Sequence, residues 1–165
     1  MALLPILTAP HPVLSATARG VADDEFDDAL RQRLSDMAET MYAAPGVGLA
    51  APQVGDSRRI IVIDPGEDGG CGLLKMINPT ITAKSEETIT WRETCLSVPD
   101  LDVDTRRAKH IQVAWRDETG APQARAFHDF EAIVVQHELD HLIGTVLLDK
   151  VSHFRKSRYL RRLRG

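Results

Sequence analysis

His137 and His141 stand four residues apart, and Glu138 follows the first of them directly. On an α-helix, residues at that spacing differ by about 40° in direction and about 6 Å in height. Both imidazoles then project from one face and can hold a single cation. Glu138 lies to one side, within reach of a water on that cation, as does the general base of helical zinc proteases. The plain alternative is a pair of exposed histidines on a solvated face. Ile133, Val134 and Leu142 make this face apolar, and imidazoles sunk among them need partners, which favours the metal reading.

A catalytic centre of this type needs a third protein ligand and an open position for water. Downstream the one further histidine is His153, with no Asp or Glu at the offset that helical proteases use. Upstream, Cys95 lies in the run Glu93, Thr94, Cys95, Leu96, Ser97. A lone cysteine is ordinarily a small buried hydrophobe. As a third ligand it would complete a Cys/His/His set, which suits iron(II), zinc, nickel or cobalt without choosing among them.

These residues need elements to position them. Phe26, Leu30, Leu34, Met37 and Met41 recur at spacings of three and four, which predicts a core-packed helix over 24–43, stopped by Pro45 and Gly46. Residues 46–53 form a loop of glycine and alanine with little side-chain bulk, suited to close backbone approach. A buried strand is expected at 59–63 from its β-branched content, then a turn-rich stretch at 65–72, a strand at 74–78 and extended chain over 80–90. Residues 111–115 alternate, 117–120 read as a hairpin turn, and 124–127 return antiparallel. Asp129 suits the N-cap of a helix from about 130 to 143, with Glu131 in its first turn and Gly144 at C′. A last helix starts near Ser152. The order predicts one α+β domain over 1–165, its strands mostly antiparallel around a central metal-binding helix.

The 165 residues carry a formal net charge of −4. Length and composition suit one soluble domain with a core of its own. No apolar run is long enough to span a bilayer, and the first ten residues lack the basic start of a secretory signal. The cytoplasm of a bacterium, or an organellar matrix, is the expected compartment. With two cysteines, a Cys71–Cys95 disulfide has little support there, and Cys71 reads as an incidental loop thiol. From Lys150 onward come Arg155, Lys156, Arg158, Arg161, Arg162 and Arg164 and no acidic residue, so every one of the 24 Asp and Glu precedes this tail. Such polarity suits an anionic partner. His11, His110, His128 and His153 show no partner pattern and suggest surface or local hydrogen-bonding roles; Trp91 either lines a cleft or covers the core.

Over essentially its whole length the sequence resembles the peptide deformylases, through three motifs in order: the glycine–alanine loop ending in Gln53, the Cys95 segment and the His137–His141 helix. The resemblance implies a peptide deformylase-like fold and removal of the N-formyl group from the initiator methionine of new polypeptides. It implies Cys95, His137 and His141 as ligands of one divalent ion, most often iron(II), with zinc, nickel or cobalt as substitutes. Glu138 would be the general base and acid, and Gln53 and the Leu96 backbone N–H the oxyanion donors. Gly46, Val47, Gly48, Thr94 and Val134 would contact the formyl-methionyl peptide. Arg107 would pair with Asp140, and the basic tail at about 152–165 would dock on ribosomal RNA; no membrane or DNA partner is implied.

Two positions depart from the family pattern. Thr94 replaces a glycine, which adds bulk beside the metal and a stiff residue that poorly tolerates positive φ. Asp102 replaces an arginine that would pair with Glu93, and Arg92 or Arg106 are the expected compensation. Three alternatives follow: a paralogue with weak or altered N-acyl-peptide specificity, a zinc endopeptidase on the same helix pair, and a non-catalytic binding module that keeps the metal for stability.

Overall fold

In the computed structural model, residues 2–66 and 70–164 are described. Helix α1 spans Asp28–Ala43, and strands β1 and β2 span Gly48–Ala50 and Ile60–Ile63. Strands β3, β4 and β5 cover Leu74–Lys84, Thr88–Cys95 and Val98–Ala108. Strands β6 and β7 are His110–Arg116 and Pro122–His128, and helices α2 and α3 are Asp129–Leu142 and His153–Arg164. Five strands form an antiparallel sheet in the order β1-β2-β3-β6-β7, and β4-β5 form a separate two-stranded sheet. The fold is α+β, as expected.

All four residues of β2 are buried because the strand is covered on both faces. Ile60 and Val62 join Leu30, Leu34, Met37 and Met41 of α1 in one cluster. Ile61 and Ile63 join Val134, Val135 and Leu142 of α2 in another. A third cluster unites Val98, Leu101 and Val103 of β5 with Leu147, Leu148 and Tyr159, and reaches Cys95. The helix carrying His137 and His141 is thus seated on the main sheet, whereas Cys95 arrives on a hairpin with a core of its own.

Three boundaries differ from the expectation. Helix α1 starts at Asp28, not 24, because the Asp27 carboxylate accepts from the Leu30 N–H and caps it, after a 3-10 turn at Asp23–Glu25. The sequence pattern also gave no strand between 91 and 110, where the β4-β5 hairpin lies. Finally, Asp129 is not the N-cap of α2. His128 holds that position in extended conformation, still in register with His110, and Asp129 opens the helix with φ 52° while its N–H donates to the Lys109 carbonyl. Of the expected turn at 65–72, residues 67–69 lie outside the described residues, as does Gly165 of the tail. Cys71 and Cys95 are both free thiols. Among the described residues, no helix is long and apolar enough to cross a membrane.

Gly144 ends α2 at φ +77°, and a Cβ there would meet the Ser15 carbonyl oxygen at 2.6 Å. Replacing Gly144 with alanine should cost about 1–3 kcal/mol. A melting temperature lowered by about 3–10 °C in calorimetry is the expected outcome.

Candidate active site

Cys95 closes β4, just past a register shift in the hairpin, and its Sγ lies 3.4 Å from Nε2 of His141. One donor atom each from Cys95, His137 and His141 lies within 4.8 Å of the others. His137 uses Nδ1 for Glu93 Oε1 at 2.9 Å, which leaves its Nε2 lone pair for another partner. The shared turn of α2 gives both imidazoles, as the i, i+4 spacing requires.

Behind His137 stands a buried ionic cluster. Arg107, on β5, reaches Glu93 with Nε at 2.6 Å and Nη2 at 2.8 Å, and Asp140 with Nη1 at 2.9 Å. Lys150 shares Asp140 at 3.3 Å, and the Thr105 hydroxyl donates to Glu93. This corrects the expectation that Asp102 stands where a partner of Glu93 would be and that Arg92 or Arg106 compensates. Asp102 is exposed on the outer face of β5, while Glu93 is buried on the inner one. Arg92 instead pairs with Asp104, and Arg106 bonds Thr88. Alternation along β5 turns Leu101, Val103, Thr105 and Arg107 inward. That period-two pattern was the available signal for Thr105 and for the Glu93–Arg107 pair, which sequence reasoning missed.

Glu138, on the same turn of α2, is 4% exposed, and its Oε1 lies 4.0 Å from His141 Nε2. Gly48 explains itself here: a Cβ on it would meet Glu138 Oε2 at 2.5 Å, so a side chain at this position would push the carboxylate from its place. Gln53 is fixed at both ends of its amide. Its Oε1 accepts from the Ala50 N–H at 2.9 Å, and its Nε2 donates to Ser97 Oγ at 3.0 Å and points toward Cys95 Sγ at 3.8 Å.

A cleft of about 580 Å³ opens over these groups. Gly46, Val47, Gly48, Gln53, Thr94, Cys95, Leu96, Val134, His137 and Glu138 all line it, whereas His141 lies behind them, 1% exposed. Thr94 sits on the exposed side of β4 and is not in the positive-φ region, so its bulk, not backbone strain, is what it brings. Trp91 lines the cleft and packs on Phe130 with ring centroids 5.3 Å apart; Phe130 was not singled out from sequence.

The electrostatics fit a cation at the three donor atoms. Burial works against charge on His137, yet Glu138, Cys95 and Glu93 around it raise its pKa well above the usual value. Burial drives His141 down to about 3, helped by His137 and Arg107, so it is a neutral imidazole with a free lone pair. Burial likewise pushes Glu138 up to about 7, against the pull of His137 and Arg107. Glu138 Oε1 is buried without a hydrogen-bond partner among the described residues. A neutral imidazole and a buried carboxyl oxygen, each with an unshared lone pair beside the Cys95 sulfur, are surroundings that a divalent ion satisfies.

A cysteine sulfur, two imidazoles, a carboxyl group beside them and a cleft above are the parts of a mononuclear metal-dependent hydrolase. Comparison with known proteins narrows the class. Residues 3–157 match the family model described as polypeptide deformylase. The peptide deformylase of Desulfotalea psychrophila is 41% identical, over 99% of this chain and 96% of that protein. That of Cellvibrio japonicus is 44% identical, over 96% and 92%. The structure of the Ehrlichia chaffeensis peptide deformylase in complex with actinonin superposes with a TM-score of 0.93 at 35% identity, over 99% of this chain and 96% of that one. The Thermotoga maritima enzyme gives 0.85 at 39%, over 91% and 98%. This chain belongs to the peptide deformylase family.

Burial alone would raise the Glu93 carboxyl, but hydrogen bonds from Arg107 and His137 outweigh it and hold the group at about 2. A depressed carboxyl stabilises the fold above its unfolded value, and the gain is lost as pH falls toward the folded one. Glu93→Gln should therefore cost about 3 kcal/mol in urea unfolding near neutral pH. The gap to the wild type should close as pH falls from about 4.5 toward 2.

Proposed function

We propose that this protein is a metal-dependent amidohydrolase that removes the N-formyl group from formyl-methionine at the start of nascent polypeptides, working as a single domain. The observation that carries this reading is the convergence of the Cys95, His137 and His141 donors with Glu138 at the floor of one cleft. A divalent ion held by those three residues would supply Lewis acidity and a more readily deprotonated water. Iron(II) is the native ion in this reading, with zinc, nickel or cobalt as substitutes.

The chain's own residues do the rest. Glu138, poised near neutrality by burial, takes a proton from the attacking water. It returns that proton to the methionine nitrogen as the C–N bond breaks, which gives formate and a free amino terminus. The Gln53 amide, locked by Ala50 and Ser97, and the Leu96 backbone N–H would donate to the oxyanion that develops on the formyl oxygen. Gly46 and Val47, just before β1, and Gly48 at its start offer backbone to an extended peptide, which would add as a further strand; β1 is the terminal strand of its sheet. Val134, on the apolar wall, would meet the methionine side chain. The carboxylate in the cleft argues against the binding-module reading, because a purely structural ion has no use for it.

Thr94 favours a second, narrower reading, altered acyl-peptide specificity, because it adds a side chain to the cleft rim. The basic helix α3 is proposed as the ribosome contact. It is docked on the hairpin, with Tyr159 Oη donating to the Pro99 carbonyl and Arg155 to the Asp102 carbonyl, while Arg158, Arg161, Arg162 and Arg164 remain exposed. The bacterial cytoplasm or an organellar matrix is the compartment where such a substrate arises.

Release of formate from a formyl-Met tripeptide, by protein purified anaerobically with iron(II), tests the reaction. Glu138→Ala should lose about 10²–10⁴-fold in kcat while retaining its metal by elemental analysis. Thr94→Gly should raise kcat/KM if the rim obstructs the peptide. No release from folded, metal-loaded wild type would sink the formyl substrate. For the tail, exchanging the four exposed arginines for serine should abolish salt-sensitive co-sedimentation with ribosomes; undiminished association would remove that role.

A further inference from the structure

His110 opens β6 and His128 closes β7, directly opposite each other in register. Their Nδ1 atoms are 2.9 Å apart, with ring centroids at 5.0 Å and planes at 69°. Neither histidine lines the cleft, and neither belongs to the Cys95, His137 and His141 group. Without a ligand, one Nδ1 must donate to the other, and that is a single exposed hydrogen bond of small net value.

We infer that the His110–His128 pair is a second, accessory site for a divalent transition metal ion, bound through both Nδ1 atoms with water completing the shell. Imidazole nitrogens bind such ions at about 2.0–2.1 Å. Two of them in adjacent positions around one ion stand about 3.0–3.4 Å apart. The observed separation needs an opening of a few tenths of an ångström, not a rearrangement. Both side chains are set by backbone elements, since each closes a strand end paired to the other. A carboxylate stands nearby: Glu87 Oε2 is 3.9 Å from the opposite ring nitrogen of His110, beyond hydrogen-bond distance but close enough to attract a cation. Lys109 shares that carboxylate at 3.4 Å, so the local charge is balanced rather than repulsive. Imidazole donors without thiolate suit nickel, copper(II) and zinc. Bound there, the ion would tie the end of β7, an edge strand, to β6 at the point where the chain enters α2.

The test uses the holoenzyme with its Cys95 centre already loaded with nickel, and free nickel(II) as probe. Equilibrium dialysis near pH 7.5 should find a second equivalent per chain. His110→Gln and His128→Gln, each folded by circular dichroism, should weaken that second equivalent by about tenfold or more. The first equivalent should stay, and His153→Gln should leave both in place. Nickel should also raise the melting temperature of the wild type beyond that of the two variants. A wild type that takes up one equivalent only, or a second equivalent that survives in either histidine variant, overturns the proposal.

Discussion

Arg107 holds the Glu93 carboxylate with two of its nitrogens, and Glu93 in turn holds Nδ1 of His137. The interaction joins two parts of the fold that share no strand pairing: the β4-β5 hairpin, which brings Cys95, and helix α2, which brings the imidazoles. A third contact, from Arg107 to Asp140 one turn along α2, fixes the helix in rotation as well as in distance. Buried charge is costly unless it is paired and hydrogen-bonded. Here every oxygen of Glu93 has a partner, so the cluster has one low-energy arrangement, and that arrangement sets the spacing of the three donor atoms.

Around that frame, the lack of side-chain bulk matters as much as its presence. Gly48 leaves room for Glu138 at the bottom of the cleft, and Ala50 offers the backbone N–H that orients Gln53. A helix dense in branched apolar residues on one side, and a strand almost bare on the other, let a carboxylate be buried deeply enough to have its pKa raised to about 7. The chemistry and the packing are therefore set by the same few contacts.

Much of this was legible in the sequence because the informative patterns are local. The i, i+4 histidines, the apolar stripe of α1 and the β-branched run of β2 each express one element's own geometry. The resemblance carried by Gln53, Cys95 and the histidine helix supplied the assembly. What stayed hidden was non-local or mixed in character. The β4-β5 hairpin carries many charges, so its alternation of Leu101, Val103, Thr105 and Arg107 with Asp102, Asp104 and Arg106 does not look like a buried strand until Arg107 is seen to have a partner inside. Asp102 was expected beside Glu93 from motif position, in place of its arginine partner, although the strand period places the two on opposite faces. Asp129 has the right chemistry for a cap, but strand pairing by His128 displaced it. The His110–His128 contact spans a hairpin, and no spacing rule within one element reports it.

The separation of the molecule into a five-stranded sheet and a two-stranded hairpin bears on how such a protein can change over generations. Glu138 and both imidazoles are anchored in α2, which packs on the larger sheet, while Thr94 stands on the outer side of the hairpin. Exchanges on that outer side leave the inner row of Glu93, Thr105 and Arg107 untouched. A side chain at the rim, such as that of Thr94, can therefore be exchanged without disturbing the contacts that space the donor atoms beneath it.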